Sequence, residues 1–465
     1  MVCDIPNSCR VAAVEFHACV AGVIRLAVLL PMTGGWPVGP TLIGAVALAV
    51  EDVNNNPGLL KGKRLEYVWA DDGCDRQMSL VGFIDMLGTG PRMIDGLIGP
   101  GCAKGCEVTQ TLARAKNIPQ ISATCASPSL SNKDEFPLFV RTTSPYAKWA
   151  AAIVSIMKAE NWTRLSVVSD VAMGASVGAL RAELIKDNLK FGVDVQFDAD
   201  RFTVKPGEPS RMAAVLDTGV RVVMVYAFAA DNVAIAVEAR TQGMAAGWAF
   251  MGLDMVFGCE EGLTGAALKT AQEALHGWIF FEPSSTAVQS FFDRVRAASI
   301  SVFGQKLEAD ASINLYAANL YDAVMLYARV ASLHLHELSD GQVMVDEMRK
   351  VTFDGMTGKV AIDQNGDMKE SIRAMNYVKL PNHEKMRSSL VGVFDGLTRQ
   401  YTAVPNAAVI WPGGSQVPPI SWLACDVGMY LADQKRCVPC QAGTVSPGGT
   451  VTACLNCPAG TGSSS

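Results

Sequence analysis

The chain is poor in the features that most directly betray a chemistry. Histidine occurs 5 times in 465 residues, with no partner spacing that would build a metal site. No serine stands in a G-x-S-x-G turn, and nothing ties a histidine to a serine or a carboxylate, so a nucleophilic hydrolase is disfavoured. There is no basic block, and a net charge of −6 argues against nucleic acid as a partner. Long apolar runs are missing as well. The stretch from Val11 to Met32 comes nearest to a membrane-spanning helix, but Glu15, His17 and Arg25 interrupt it. Its "VAAVEFHACVAG" portion, with Asp4 ahead of it and Arg10 as its basic residue, is read either as a poor signal peptide or as a truncated start.

What is present is ordinary globular protein, 49% hydrophobic and 18% charged, long enough for two or three compact units. From Ile24 onward short apolar runs alternate with amphipathic segments. "IRLAVLL", "LEYVWA", "IDGLIG" and "IPQISA" have the length and composition of strands, and helical spacing fills the intervals between them. The pattern restarts with "RLSVVSD", "RVVMVYAF" and "WAFMGLD", so two α/β units with parallel sheets are predicted. A long helix is expected over Asp310–His336. The Gly-rich turns after Phe353 suggest a hairpin, and "DQNGD" at Asp363 is read as a turn rather than a calcium loop, since the spacing that follows is wrong for an EF-hand.

Cysteine is the one chemistry-bearing residue in quantity, 13 in all, and five of them lie between Cys425 and Cys457. The pattern C-x(11)-C-x(2)-C-x(13)-C-x(2)-C, with too few apolar residues for a core, predicts a disulfide-held module in an oxidising compartment. The expected pairs are Cys425 with Cys437 and Cys440 with Cys454, which leaves Cys457 over. Two CxxC pairs also resemble zinc ligands, but the Gly/Ser/Thr context and the odd cysteine favour disulfides. Earlier in the chain, Cys74 and Cys102 follow consecutive strands at one sheet edge and are expected to bond. Cys106 with Cys125 is a second candidate, and Cys259 has no evident partner. "LIGPGCAKGC" lacks the glycine spacing of a dinucleotide fingerprint and the Gly-Lys-Ser/Thr of a phosphate loop. It fits a strand end running into a helix start, a place that favours a ligand carboxylate. No cofactor and no metal is expected. "NWT" makes Asn161 a glycosylation candidate.

Several stretches together resemble one family: "LLPMTGGWPVG", "AVALAVEDVNNNPGLL", "DDGCD", "LIGPGC", "SPSLSNKDEFPLFVRT", "NLYDAV", "GKVAIDQNGD" and "IWPGGSQVPP". They look like the extracellular ligand-binding region of GABA type B receptors, within the class C G-protein-coupled and natriuretic-peptide receptor superfamily. The resemblance implies an α/β, two-lobed clamshell of the periplasmic-binding-protein type I kind. Lobe one is placed at about 24–143 and 283–352, and lobe two at about 144–282 and 353–400. A Pro/Gly linker is expected over 401–424, then the disulfide-rich module over 425–465. It further implies a small ligand between the lobes, a dimer through lobe one, an extracellular location on a longer membrane receptor, and a G protein engaged by a membrane domain outside this chain. A receptor guanylate cyclase ectodomain and a soluble amino-acid-binding protein are the alternatives. The domain itself is expected not to be an enzyme.

The resemblance carries over residue by residue. Trp36 matches the tryptophan that packs on the ligand. Two serines that hold the ligand carboxylate fall on Ala103 and Ala126, with Ser127 beside the second. A histidine falls on Thr143, a second-lobe tyrosine on Phe228, a tryptophan on Leu253, and the glutamate that takes the amino group on Tyr316. Amino-acid-sensing relatives place an aspartate near "MGLD", which makes Asp254 a candidate, and an earlier one falls on Tyr146. Each lost charge-assisted hydrogen bond costs about 1.5–3 kcal/mol. These replacements therefore predict an amino-acid-like ligand other than GABA, or none.

Overall fold

The first apolar run forms β1 (Val23–Leu30), and its alternate residues enter two different cores. Ile24, Leu26, Val28 and Leu30 face one cluster, while Ala27 and Leu29 face another. A strand covered on both faces has no polar side, which is why the run is continuously apolar from Leu26 to Leu30. The computed structural model describes residues 22–88, 93–198, 202, 209–227, 229–253, 259–260, 262–307, 313–381, 383–423, 425–432, 436–449 and 451–457. The expectations for the N-terminal segment, Phe228 and Asp254 lie outside the described residues.

The chain divides into two compact units. One comprises Met1–Tyr146 and Pro283–Glu370, the other Ala147–Glu282 and Ser371–Ser465. In the first, β1 is followed by α1 (Gly39–Leu42), α2 (Gly44–Asn55), β2 (Arg64–Asp71), α3 (Arg76–Leu87), β3 (Gly96–Ile98), α4 (Ala103–Ala115), β4 (Gln120–Ser122) and β5 (Phe139–Arg141). The sheet is parallel in the order β2-β1-β3-β4-β5. Helix α2 buries Val46, Ala49, Val50 and Val53 and stops at "NNNPG", where proline cannot continue it. Asp75 caps α3, its side chain accepting from the Gln77 and Met78 amides.

The second unit takes up α5 (Tyr146–Ala159), β6 (Arg164–Asp170), α6 (Gly174–Lys186), β7 (Lys190–Phe197), α7 (Ala213–Asp217), β8 (Val222–Tyr226), α8 (Ala229–Thr241), β9 (Ala249–Gly252), α9 (Gly265–Leu275) and β10 (Trp278–Pro283). The chain then returns to the first unit with α10 (Gln289–Ser301), α11 (Tyr316–Leu333), α12 (Gly341–Met348) and the antiparallel hairpin of β11 (Thr352–Gly355) and β12 (Gly358–Ala361). Helix α11 is buried nearly all round and fills the first unit's core. Finally β13 (Ile372–Val378), β14 (Arg387–Asp395) and β15 (Gln400–Ala403) extend the second sheet, whose order is β15-β14-β13-β10-β9-β8-β6-β7.

Two expected boundaries need correction. Residues 353–370 were expected in the second lobe but lie in the first unit. Asp322 on α11 holds the hairpin turn there, accepting from the amides of Met356 (2.8 Å) and Thr357 (2.9 Å) and from the Thr357 hydroxyl (2.6 Å). The expected linker over 401–424 begins inside a strand. Its first residues are in β15, and the rest is strapped to the second unit. Asn376 brackets Ile410 with two hydrogen bonds, and Trp411 buries against Trp162 at 5.3 Å between ring centres. The Trp162 indole donates to the Pro419 carbonyl (2.6 Å), and Val220 bridges to Trp422. Beyond the strap come two small antiparallel ribbons, β16 (Met429–Ala432) with β17 (Arg436–Pro439), and β18 (Thr444–Val445) with β19 (Leu455–Asn456). Disulfides Cys425–Cys437 and Cys440–Cys454 hold this module, and Cys457 is a free thiol.

Candidate ligand site on the first unit

Parallel strands present all their carboxyl ends at one sheet edge, and open α/β sheets bind ligands there. In the first unit that edge is built from the segments after β1, β2, β3, β4 and β5, and most of the expected site residues fall on it. Trp36 follows β1 and is half-buried, its ring edge-on to Tyr316 at 6.2 Å between centres. Ala103 opens α4 after β3. Ala126 and Ser127 follow β4, the first buried and the second capping a 3-10 turn at Pro128–Ser131. Thr143 follows β5 and is fully buried, with Tyr146 just beyond it; the Tyr146 amide donates to the Ala126 carbonyl (3.3 Å). Leu253 is different, being buried at the end of β9 in the second unit.

The loop after β3 is shaped by backbone crowding. Gly99 has φ +93°, and a Cβ there would run into the Leu29 carbonyl oxygen. Two disulfides then pin α4. Cys102 at its N-cap joins Cys74, and Cys106 one turn on joins Cys125. The N-cap residue Cys102 makes no side-chain cap bond to the first turn of α4. Its amides and dipole suit an anion.

Several expected contacts are already engaged within the unit. The Thr143 hydroxyl donates to Glu370 (3.3 Å), which also accepts from the Ser144 amide (2.9 Å) and the Asn319 side chain (2.9 Å). The Ser127 hydroxyl pairs with Ser129 (2.7 Å), Ser129 donates to Glu107 (2.8 Å), and Glu107 pairs with Arg76 (2.8 Å). Tyr316 is buried where the resemblance places a glutamate, so that position supplies an aromatic wall and no anionic partner for an amine. Asn161 is exposed in the left-handed region between α5 and β6, at φ +56°.

Three groups of residues that shape this edge went unrecognised in the sequence. Asp71, at the end of β2, accepts from the Met32 amide (2.9 Å), the Thr33 hydroxyl (2.6 Å) and the Gly73 amide (2.8 Å). Asp72 is fully buried and accepts from the Gly101 amide (2.7 Å) and the Cys74 amide (2.7 Å). Burial pushes the Asp72 carboxyl up to about 6 against the pull of those two bonds. Arg141, at the end of β5, is also fully buried. It pairs with Asp367 (2.7 Å) and donates to the carbonyls of Cys125 (2.6 Å) and Ser127 (2.8 Å), fixing the loop that carries Ala126. "DDGCD" contains Asp71 and Asp72, "FVRT" contains Arg141 and "DQNGD" contains Asp367, but a short motif does not say which distant partner it meets.

Two α/β units with parallel strands and a disulfide-held C-terminal module fit a domain of the periplasmic-binding-protein-like kind. The model of the receptor family ligand binding region matches residues 43–378, and the chain belongs to that family, a family of extracellular ligand-binding receptor regions that are not themselves catalytic. It is 25% identical over 422 residues to guanylate cyclase 32E of Drosophila melanogaster, covering 85% of this chain and 35% of that protein. It is 22% identical over 432 residues to glutamate receptor 3.7 of Arabidopsis thaliana (82% and 44%) and 23% identical over 401 residues to gamma-aminobutyric acid type B receptor subunit 1 of Mus musculus (79% and 41%). The chain thus spans less than half the length of these curated relatives. No helix among the described residues is long and apolar enough to cross a membrane.

Proposed function

We propose that this chain is the extracellular small-ligand-sensing region of a GABA type B-like G-protein-coupled receptor, whose ligand is amino-acid-like but not GABA. The ligand is taken between the two lobes, and their closure signals to a membrane domain that engages a G protein. The observation that carries this reading is the edge around α4: an uncapped, doubly disulfide-pinned helix start, with Ala103 and Ala126 on it and Trp36 packed on Tyr316. The helix start suits a carboxylate, while the missing hydroxyls and the aromatic at 316 remove partners that GABA would need. Calorimetry on the purified chain with GABA and a panel of L-amino acids tests it. The expected result is no micromolar GABA binding, with binding of a panel member that Ala103→Trp abolishes. Micromolar GABA binding lost in Ala103→Trp sinks the ligand assignment.

A dimer through the first lobe belongs to the same reading. Met78, Val81 and Ile84 on α3 are 43%, 55% and 49% exposed and form an apolar outer stripe on a helix whose other face is already packed. Val81→Glu with Ile84→Glu is expected to turn a sedimenting dimer into a monomer. The similarity to guanylate cyclase 32E supports a second reading, a cyclase-linked receptor of the same architecture. Seven apolar spans in a longer transcript favour the first reading, and one span followed by a cyclase region favours the second.

A further inference from the structure

Two adjacent carboxylates sit at the end of β2 and reach in different directions. Asp71 gathers the start of the Trp36 loop: the Met32 amide (2.9 Å) and the Thr33 hydroxyl (2.6 Å) donate to it, with the Thr33 amide farther off at 3.3 Å. Asp72 gathers the start of α4: the Gly101 amide donates to one oxygen (2.7 Å) and the Cys74 amide to the other (2.7 Å). Gly101 and Cys74 flank or belong to the Cys74–Cys102 disulfide, so Asp72 and the disulfide fix the same corner. The two loops bear Trp36 and Ala103, which follow different strands and have no local reason to keep register with each other. A pair of neighbouring side chains on a rigid strand end supplies that register.

We propose that Asp71 and Asp72 are positioning residues of the ligand site, Asp71 holding the Trp36 loop and Asp72 holding the N-terminus of α4. This rests on the reading of that edge as the ligand site. The pairing is charge-assisted, since each carboxylate accepts backbone or hydroxyl protons with both oxygens. It is also asymmetric, because Asp71 is half-buried and Asp72 is fully buried. The charge acting on Asp72 is that of Asp71. Asp75 and Arg76 at the start of α3, exposed Lys104 on the first turn of α4, and Glu107, which pairs with Arg76, are the other charged groups on the segments around it.

Protonation of Asp72 relieves its burial but weakens its grip on Gly101 and Cys74. Burial outweighs those two bonds, so the closed corner binds the proton more tightly than an opened, hydrated one; the α4 corner should gain protection locally on acidification, while the Trp36 loop is unaffected. An asparagine at 72 keeps one accepting oxygen for Cys74 and turns an N–H toward the Gly101 amide.

Hydrogen exchange on the whole chain, corrected for intrinsic rates, tests the assignment without any ligand. Asp72→Asn is expected to speed exchange at residues 99–106 about tenfold and to leave 32–38 unchanged. Asp71→Ala is expected to do the reverse. In the wild type the 99–106 segment should lose exchange as pH falls through 6, a profile that is flat in Asp72→Asn. Unchanged exchange at both segments, or equal loosening of both by either variant, overturns the proposal. The second arm is calorimetry with the same L-amino-acid panel. If each variant loosens its own loop but Trp36→Ala and Ala103→Trp leave binding of every panel member unchanged, the ligand-site reading fails while the loop assignments stand.

Discussion

In the first unit, β5 reaches a segment 226 residues away through the side chains of Arg141 and Asp367, both buried. In the second, Trp162 reaches 257 residues to the Pro419 carbonyl and packs its ring against Trp411. The same task, tying a late segment back onto an early sheet, is done by charge in one unit and by aromatic rings in the other. The pattern extends further. Around α11 the first unit buries Asp322, Asn319 and Glu370, each with partners. The second unit stacks Phe250 on Trp278 at 5.0 Å and sets Phe280 edge-on to Tyr377 at 5.5 Å. It is not purely apolar, since Tyr377 donates to buried Glu260 (2.6 Å). Buried charge is directional and costly when half-made, while aromatic burial is tolerant of small shifts. Segments that border the proposed ligand edge are thus held by the directional kind.

Removing one partner of the buried ion pair should have the largest effect. Asp367→Ala leaves the Arg141 guanidinium without its carboxylate in a dry site, and a loss of about 3–5 kcal/mol is expected in urea unfolding followed by first-unit probes. Replacing both members with apolar residues should cost less, because no uncompensated charge remains. If the single and double replacements cost the same, charge burial is not what distinguishes this unit. Next in size is Trp411→Ala, with about 3 kcal/mol lost from the second unit through the emptied ring site. Hydrogen exchange should show loosening at β6, β13 and the strap, with the first unit unchanged. A response spread over both units would blur the contrast.

Much of the architecture was legible because it depends on local periodicity. β1 and α2 announce themselves by an apolar run and by helical spacing ended at "NNNPG". The expected helix over 310–336 is observed as Tyr316–Leu333, its tail ending at His334. The hairpin at 352–361 was visible as turns between alternating residues, but its unit was not. Its own pairing is local, whereas its attachment depends on Asp322 on the far side of a buried helix. The attachment of the Pro/Gly segment was hidden for a similar reason. Pro/Gly composition reports the conformation of a segment and says nothing about Asn376 and Trp162 waiting on distant strands. At the site, strand-edge positions followed from the βα order and the resemblance. The carboxylates that hold the edge in place did not, since an Asp-Asp pair after a strand looks like any solvated turn.

The smallest expected effect is also the sharpest test of the contrast, because the two units should differ in how they respond to acid. Burial raises both Asp72 and Asp322 to about 6. A carboxyl whose folded value lies above its unfolded one, about 3.9, binds its proton more tightly when folded. Its contribution is therefore fully present below about pH 4 and is lost as pH rises through 6. In the first unit these groups make stability rise as pH falls from 7 toward 4.5. Lys133, drawn down to about 7 mainly by burial, works in a higher window, adding stability as pH rises through 7. In the second unit burial lowers His276, whose ring accepts from the Lys379 amide (3.0 Å). That contribution is lost as pH falls through its folded value, while Glu160, raised by burial, opposes it. The slowest-exchanging amides of β1 should thus gain protection between pH 7 and 5, while those of β8 stay level or lose it. Asp322→Asn should flatten the first response and leave the second alone. Parallel responses in the two units, or a β1 slope that survives Asp72→Asn combined with Asp322→Asn, would show that their buried charge does not set the acid behaviour.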